Sequence, residues 1–278
     1  MPSLEEQDEA ISAAEVGSVG FPDFWPVSHR HFGVQFAAMI RTIDLQNHIC
    51  AIPLKNTPML PVVIRWMLQI AANTTGAIMV LAMNGFGSDA MRLARGTFEF
   101  DVNALYLARH PEEIDDFIDY RHVTWKNMID HFDQNGVAEA KRFGPEQRAE
   151  NAAEYAKVVD RFKNREGNVR RSWAKVSIFK RAIEVGLGDL YPTFYGITSQ
   201  LHHGDVTGLT QQVDPETGIV IPSPDLRQVD VALNSAHRAL TSLITTYNKV
   251  VPLGQDALIE KMDADYDRVW KKYNAASV

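Results

Sequence analysis

The sequence predicts an all-α protein, a multi-helix bundle of about eight to ten helices. Three observations favour this class. Apolar residues recur with helical spacing along nearly the whole chain, glycine or proline separates the periodic segments, and alternation of the kind found in strands is confined to one stretch. With 278 residues and 45% hydrophobic content, the chain can bury a sizeable core.

The first half of the chain contains five predicted helices. Ser3 and Glu6 have the spacing of a capping box, so residues 1–27 are expected to be an appendage made of a short surface helix and a loop. Proline suits the first turn of a helix and glycine follows its end, which sets the bounds of the longer segments. These longer predicted helices span residues 28–52, 61–83, 88–110 and 111–134.

The second half begins with a charged, alanine-rich helix that starts after Gly144. Because its apolar positions are sparse, we expect a solvated arm over residues 140–170 rather than a core helix. Further helices are predicted over residues 172–187, 189–203, 225–251 and 254–275. The stretch near residues 208–222 alternates around a DPETG turn and predicts either a small β-hairpin or an ordered loop. We find no repeat and no convincing linker, so residues 1–278 are interpreted as one domain.

Charge and composition exclude several classes of function. The formal net charge is -7, so no overall positive field attracts nucleic acid, and an RNA partner is conceivable but not supported by charge. The single cysteine, Cys50, rules out an intramolecular disulfide framework and fits a cytoplasmic protein. No secretory signal is recognised at the start. The apolar stretch 62–83 includes Arg65 and several amides and hydroxyls, so it is interpreted as a buried helix and no membrane contact is expected.

Standard catalytic motifs are absent, which argues against nucleotide hydrolysis, zinc proteolysis and serine-esterase chemistry. One candidate pair lies on the predicted helix 88–110, where Arg95 and Glu99 are four residues apart and therefore share a face. The pair is either a solvated ion pair or, given the apolar neighbours Leu93 and Phe98, a partly buried pair at a functional site.

The stretch YPTFYGITSQLHHGD, residues 191–205, places several polar side chains along one helical stripe. Tyr191, Tyr195 and Ser199 are followed by His202 and His203, which point about 100° apart on a helix. Such a stripe is typical of a proton relay, but equally of half-buried side chains that bond only through their tips. A metal bound by one of these histidines, Asp205 and a distant carboxylate is a weaker alternative, and we predict no metal and no cofactor.

A second histidine pattern carries little weight. Arg41 and His48 are separated by six residues, which matches the spacing used by many ribonucleases of the HEPN group (higher eukaryotes and prokaryotes nucleotide-binding). A chain with nine histidines gives such a spacing by chance.

Two blocks of the chain resemble a widespread, largely uncharacterised bacterial family of all-helical domains of unknown function. They are RLARGTFEFDVNALYLARHPEEIDDFIDY and SWAKVSIFKRAIEVGLGDLYPTFYGITSQLHHGD, so the resemblance covers residues 85–205. The family shows an Arg-x3-Glu helix, matched by Arg95 and Glu99. It also shows a tryptophan, a Leu-Tyr pair and Ser-x3-His-Gly, matched by Trp173, Leu190-Tyr191, Ser199 and His203-Gly204.

The resemblance selects His203 over His202 and implies that Arg95, Glu99, Ser199 and His203 meet in space. It leaves two hypotheses. In the first, the four residues form a satisfied polar network and the protein acts through contacts with a partner or ligand, in a bacterial defence or toxin-type module or as a homo-oligomer. In the second, His203 is a general acid or base of a HEPN-like, metal-independent ribonuclease or other hydrolase, in which Glu99 orients His203 or shares its proton. Arg95 would stabilise developing negative charge and Ser199 would position the reacting group; the HEPN relation is fold-level analogy.

Overall fold

The computed structural model describes residues 20–54, 57–203, 206–210, 212–221 and 223–276, without the side chains of residues 140, 201–203, 207 and 274–276. These residues form ten α-helices and no β-strand, which confirms the predicted all-α class. In chain order the helices are α1 (Trp25–Cys50), α2 (Met59–Met83), α3 (Gly87–Arg109), α4 (Ile114–Gln134), α5 (Pro145–Val158), α6 (Ile178–Glu184), α7 (Thr198–His203), α8 (Val206–Thr210), α9 (Val229–Val250) and α10 (Asp256–Ala276). The predicted capping box of Ser3 and Glu6 lies outside the described residues.

Three helices form the centre of the bundle. The most extensive helix packing joins α9 to α3, α3 to α2, and α2 to α9. Small residues of α9 let the neighbouring backbones approach, and Leu240, Leu243 and Ile244 of the same helix are fully buried among them. Helices α1 and α10 cover one side of this centre, and α6 and α7 pack on the side of α3.

Side chains of α2 and of Asn84, which follows it, form hydrogen bonds with backbone groups at the two ends of α1. Arg65 donates from Nη1 to Ile52 O at 3.2 Å and from Nη2 to Cys50 O, which satisfies carbonyl groups at the end of α1. At the other end of α2, Asn84 Oδ1 accepts from the Phe21 N–H at 2.8 Å. Gly85 follows with a φ of +72°, and a Cβ there would lie 2.8 Å from Asp225 N, so the turn requires glycine.

The charged segment predicted as an arm packs against α4. Helix α5 ends at Val158 rather than near Glu166, and a 3-10 turn, Val159–Phe162, follows it. This turn inserts Phe162, which is fully buried, against Tyr120 of α4 with ring centroids 5.2 Å apart. The helix therefore stops just before Phe162, which enters a small satellite core together with Val123 and Val158.

The segment between α8 and α9 is an ordered loop closed by a single antiparallel bridge. Val213 pairs with Val220, and Asp214 Oδ1 accepts from the N–H groups of Glu216 and Thr217, both at 2.9 Å. The bridge is not extended into strands within the described residues, so the loop alternative describes this stretch better than the hairpin.

A buried histidine joins α1, α9 and α10. Trp270 Nε1 donates to His237 Nδ1 at 3.1 Å, so the neutral ring carries its proton on Nε2, which lies 3.0 Å from Thr42 Oγ1. Burial lowers the pKa of His237 to about 4, although Asp265 nearby favours the charged form. The imidazole is thus held neutral as part of the core.

We expect His237 to make the fold sensitive to acid. Between pH 6.5 and about 4, His237 is protonated in the unfolded chain but stays neutral in the folded chain. The free energy of unfolding therefore falls by up to about 3 kcal/mol as pH falls through this range. Urea unfolding of the natural chain and of His237→Gln at several pH values in this range measures the fall in the free energy of unfolding. The stability difference between them should shrink toward acid, whereas a constant difference would contradict the assignment; His48→Gln, at an exposed position of α1, is the control.

Candidate functional site

The first predicted pair is formed, and it is only partly exposed. Arg95 Nη2 lies 3.0 Å from Glu99 Oε1 on α3, and 20% and 36% of the two side chains are accessible. The burial of the Arg95 stem leaves its Nε without a hydrogen-bond partner. The pair therefore lies at the boundary between solvent and the protein interior. At such a position two opposite charges attract each other more strongly than on an open surface, because less water screens them.

Tyr195, from the stretch of residues 191–205, is the side chain that contacts this pair. Arg95 Nη2 donates to Tyr195 Oη at 2.8 Å, and the guanidinium carbon lies 4.6 Å from the centre of the same ring. Tyr191 stacks on Tyr195 with ring centroids 4.8 Å apart and an angle of 21°. The Tyr195 ring therefore covers one side of the arginine and is itself backed by Tyr191.

Tyr195 lies on a π-helical segment, Pro192–Ile197, which Tyr191 directly precedes; this segment replaces part of the regular helix predicted over residues 189–203. Pro192 has no N–H to donate, and Thr198 Oγ1 donates to Phe194 O and to Tyr195 O, both at 2.9 Å, as α7 begins. π-helical turns are rare and occur frequently at functional sites because they reorient side chains. The π-helical turn thus changes the direction of Tyr195 relative to Ser199, so the stripe predicted for a regular helix is interrupted before Ser199.

The structure gives an incomplete view of the other two predicted residues. Ser199 is half-buried on α7, and neither the ion pair nor the hydrogen bond found for Arg95 among the described residues includes it. The His203 side chain lies outside the described residues, as do the His202 side chain and all of Asp205. The predicted meeting of four residues is therefore observed for Arg95 and Glu99 only.

Arg181 is a site residue that the sequence reasoning missed. It lies on α6, is only 4% exposed, and donates a single 3.4 Å hydrogen bond from Nη1 to Val176 O. Its Nε is buried without a partner, and within the described part of the chain no carboxylate forms an ion pair with it. Burial lowers the pKa of Arg181, while Tyr106 and then Glu99 favour its charged form.

Aromatic rings surround this buried charge. The guanidinium carbon of Arg181 lies 4.9 Å from the centre of the Trp173 ring and 6.0 Å from that of Tyr106. Burial, followed by the neighbouring Glu113 carboxylate, raises the pKa of Tyr106 to about 12, so its hydroxyl stays protonated and donates to Glu113 at 3.1 Å. Cation–π contacts offset part of the cost of burying Arg181, but supply no negative charge.

A polar clasp holds α6 against the end of α3. His110 bonds to the carboxylate of Glu184 through Nε2, and Arg109 donates to the backbone carbonyls of Glu184 and Val185. The Glu184 hydrogen bond is the main cause that raises the pKa of His110. Arg181 lies one turn before Glu184, so this clasp fixes the position of the buried guanidinium.

Metal chemistry receives no support from the described residues. No group of three or more histidine, cysteine, aspartate or glutamate side chains among them is placed to hold a metal ion. The weaker metal alternative depends on His202, His203 and Asp205, whose side chains lie outside the described part of the chain.

The class of protein defined so far is an all-helical bundle with a half-open arginine–tyrosine cluster. A family model described as "Family of unknown function (DUF5677)" matches residues 62–219, more than half of the chain, and the chain belongs to this family. The match includes residues 85–205, so the predicted membership of an uncharacterised helical family is confirmed. No curated protein and no solved structure gives a significant match. A HEPN relation and a defence or toxin role are not shown.

Proposed function

We propose that this protein binds a small organic anion, a phosphate or carboxylate attached to an aromatic ring, at the cluster of Arg95, Glu99, Arg181, Tyr191 and Tyr195. The observation that carries the proposal is Arg181, a nearly enclosed guanidinium with no ion-pair partner among the described residues. A buried charge without a partner is costly, and functional sites are where that cost is commonly retained.

The charges of the cluster favour an anion. Glu99 forms an ion pair with Arg95, whereas Glu99 and Glu113 favour the charged form of Arg181 without forming an ion pair with it. Glu113, the next carboxylate, already accepts the hydroxyl of Tyr106. A ligand anion would supply the ion-pair partner that Arg181 lacks among the described residues, with Arg95 as the guanidinium that it meets first and Arg181 as the charge behind it.

The preference for an aromatic ring comes from the exposed neighbours of the arginines. Phe179 is 45% exposed, and its ring centroid lies 5.0 Å from that of Tyr191, which in turn stacks on Tyr195. A ring attached to the anion would extend this row of aromatic side chains. Aromatic contacts of this kind contribute about 0.5–1.5 kcal/mol beyond the burial of area.

A set of matched probes tests the proposal through ligand-induced stabilisation of the fold. Phenyl phosphate and benzoate should raise the melting temperature in a saturable way, inorganic phosphate should do so less, and phenol or sodium chloride at equal ionic strength should not. Equal shifts with sodium chloride would show non-specific screening and contradict the site.

We expect Tyr195→Phe to weaken binding of phenyl phosphate while leaving the ring stack in place. The change removes only the hydroxyl that accepts the Arg95 hydrogen bond, which is worth about 1 kcal/mol, so the dissociation constant should rise about fivefold. Tyr155→Phe, on α5 outside the cluster, is the control and should bind as the natural chain does.

Hydrolysis by His203 stays a separate prediction. Incubation of mixed RNA with the natural chain and with His203→Ala, each with and without EDTA, tests it. Cleavage that His203→Ala retains would exclude this mechanism, and cleavage that EDTA abolishes would indicate a metal.

A further inference from the structure

A cavity of about 400 Å³ lies between α9 and α10 and also touches Leu105 of α3. Small-molecule sites commonly have volumes of about 300–1,000 Å³. The cavity shares no lining residue with the cluster of Arg95 and Arg181, and its lining residues on α9 recur at helical spacing, so they form one stripe. The charged and hydroxyl-bearing lining residues include Arg238, Ser242, Thr245 and Lys249 of α9 and Asp263 and Asp267 of α10.

Helices α9 and α10 run antiparallel, which sets the order of the groups along the cavity. The first residue of α10 accepts a hydrogen bond of 2.7 Å from Asn248, near the end of α9. Trp270, near the end of α10, donates to His237 in the first half of α9 at 3.1 Å. Asp263 lies midway between these two residues of α10, so its backbone is opposite the middle of α9, near Ser242.

Arg238 is the cation of this cavity that lacks a partner. It is half-buried, its Nε is buried without a hydrogen-bond partner, and it forms no ion pair within the described part of the chain. Arg238 favours the charged form of Asp101, yet that carboxylate is bonded to Ser242 and forms no ion pair with the guanidinium. The nearby Tyr266 hydroxyl donates to Asn234 Oδ1 at 2.7 Å. A ligand carboxylate would supply the negative partner that Arg238 lacks.

Asp263 is the corresponding negative group at the mouth of the cavity. Its side chain is exposed, and among the described residues it forms no ion pair. Lys249 is near enough to favour its charged form, but not near enough to pair with it. The other carboxylate of the lining, Asp267, is already paired with Lys271 at 2.6 Å. A ligand ammonium would supply the positive partner that Asp263 lacks.

The charges around the cavity favour a ligand that carries both signs and no net charge. The lining contains two cations and two carboxylates, which cancel. The next charged residues along this side of α10, Glu260 and Lys271, also have opposite signs. A simple anion would leave Asp263 without a partner, and a simple cation would leave Arg238 without one.

We propose that this cavity binds a zwitterionic α-amino acid with an uncharged side chain. Its carboxylate would bond to Arg238 and its ammonium to Asp263. These two positions are about one helical turn, roughly 6 Å, apart along the helix axis, which suits two charged groups on neighbouring atoms of one small molecule. The apolar lining residues Leu105 and Ala264 would accommodate the side chain.

Ser242 adds a hydrogen-bond acceptor between the two charged positions. Its Oγ donates to Asp101 Oδ1 at 2.5 Å, so its proton is already used and its lone pairs can accept from an ammonium. The neighbouring threonine hydroxyls are bonded within α9, since Thr241 Oγ1 donates to Arg238 O at 2.8 Å and Thr245 Oγ1 to Thr241 O at 3.0 Å. Ser242 is therefore the hydroxyl of this stripe that is oriented to receive the ligand.

L-leucine and two analogues that each lack one charged group test the site through stabilisation of the full chain. L-leucine should raise the melting temperature in a saturable way. Isocaproate, which lacks the ammonium, and isoamylamine, which lacks the carboxylate, should each bind at least about tenfold more weakly, because one charged hydrogen-bond partner is lost.

Asp263→Asn separates recognition of the ammonium from folding, because the change is isosteric and lies at an exposed position. It should raise the dissociation constant of L-leucine at least about tenfold and leave that of isocaproate unchanged. Glu260→Gln, one turn earlier on the same side of α10, is the matched control and should bind L-leucine as the natural chain does. Arg181→Met should also bind L-leucine normally, so this proposal and the proposed function can fail separately.

Absence of saturable stabilisation by L-leucine would overturn the proposal. Binding of isocaproate or isoamylamine as tight as that of L-leucine would also overturn it, because the site would then recognise a single charge. Unchanged L-leucine binding in Asp263→Asn, or its loss in Arg181→Met, would place the amino acid outside this cavity.

Discussion

We expect Arg181→Met to be more stable than the natural chain in the absence of ligand and to lose the response to aromatic anions. Methionine fills a similar volume and removes a charge that has no ion-pair partner among the described residues. Replacing buried charges by apolar groups is often stabilising by about 1–4 kcal/mol, less here because contacts with Trp173 and Tyr106 are lost. We therefore expect a gain of about 1 kcal/mol.

Lys180→Met is the matched control because it removes the same charge from the preceding residue of α6, at an exposed position. It should change neither the stability nor the response to phenyl phosphate. Thermal unfolding of the three proteins with and without phenyl phosphate gives both quantities. If Arg181→Met lowers the melting temperature and no anion raises that of the natural chain, Arg181 is a structural residue and the proposed function is wrong.

The second large effect concerns Asp101, a fully enclosed carboxylate between α3 and α9. Ser242 Oγ donates to Asp101 Oδ1 at 2.5 Å, and Arg238 lies near enough to favour the charged form. Burial nevertheless raises the pKa of Asp101 to about 7. The pKa of Asp101 in the folded chain lies above its unfolded value of 3.8. The contribution of the protonated Asp101 carboxyl to stability is therefore complete below pH 3.8 and is lost as pH rises to about 7.

Asp101→Asn should remove the loss of stability that deprotonation of Asp101 causes as pH rises. We expect the variant to be about 2–4 kcal/mol more stable than the natural chain at about pH 8 and to differ little at about pH 4, as three pKa units correspond to about 4 kcal/mol. Urea unfolding at the two pH values measures the difference, with Asp44→Asn at an exposed position as the control. An Asp101→Asn variant that is less stable at both values would show that the carboxylate is charged and paired in the folded chain.

These two residues act in opposite directions on the acid side of neutrality. As pH falls, protonation of His237 destabilises the folded chain, because burial lowers the pKa of this residue. Protonation of Asp101 stabilises the folded chain, because burial raises the pKa of this residue. Their contributions partly cancel between about pH 4 and 6.5. The Asp101→Asn variant should therefore show the acid sensitivity of His237 more clearly than the natural chain does.

The long helices could be predicted because their apolar periodicity and their glycine and proline boundaries are local properties. The region from Trp173 to Ile197 could not, because its conformation depends on contacts with α3. Ser177 N-caps a helix of seven residues, and a π-helical turn replaces the regular helix, neither of which the apolar pattern specifies. The helix predicted over residues 172–187 is thus shortened to Ile178–Glu184, and the helix predicted over residues 189–203 is interrupted by the π-helical turn.

The candidate site was predictable where its residues are neighbours in sequence. Arg95 and Glu99 share a face of one helix, but Tyr195 reaches Arg95 across 100 residues, a contact that no spacing rule gives. Arg181 carried a signal that was overlooked. It lies between Ile178 and Ala182 on the apolar stripe of a short helix, and a charge in such a stripe indicates a buried, unusual environment.

A calorimetric titration of phenyl phosphate into the natural chain measures anion binding at the cluster of Arg95 and Arg181. The anion-binding account predicts saturable binding of one phenyl phosphate per chain, at an affinity that decreases as salt increases and that falls at least tenfold in Arg181→Met. Absence of saturable heat in the natural chain, or equal binding by the natural chain and Arg181→Met, would contradict it.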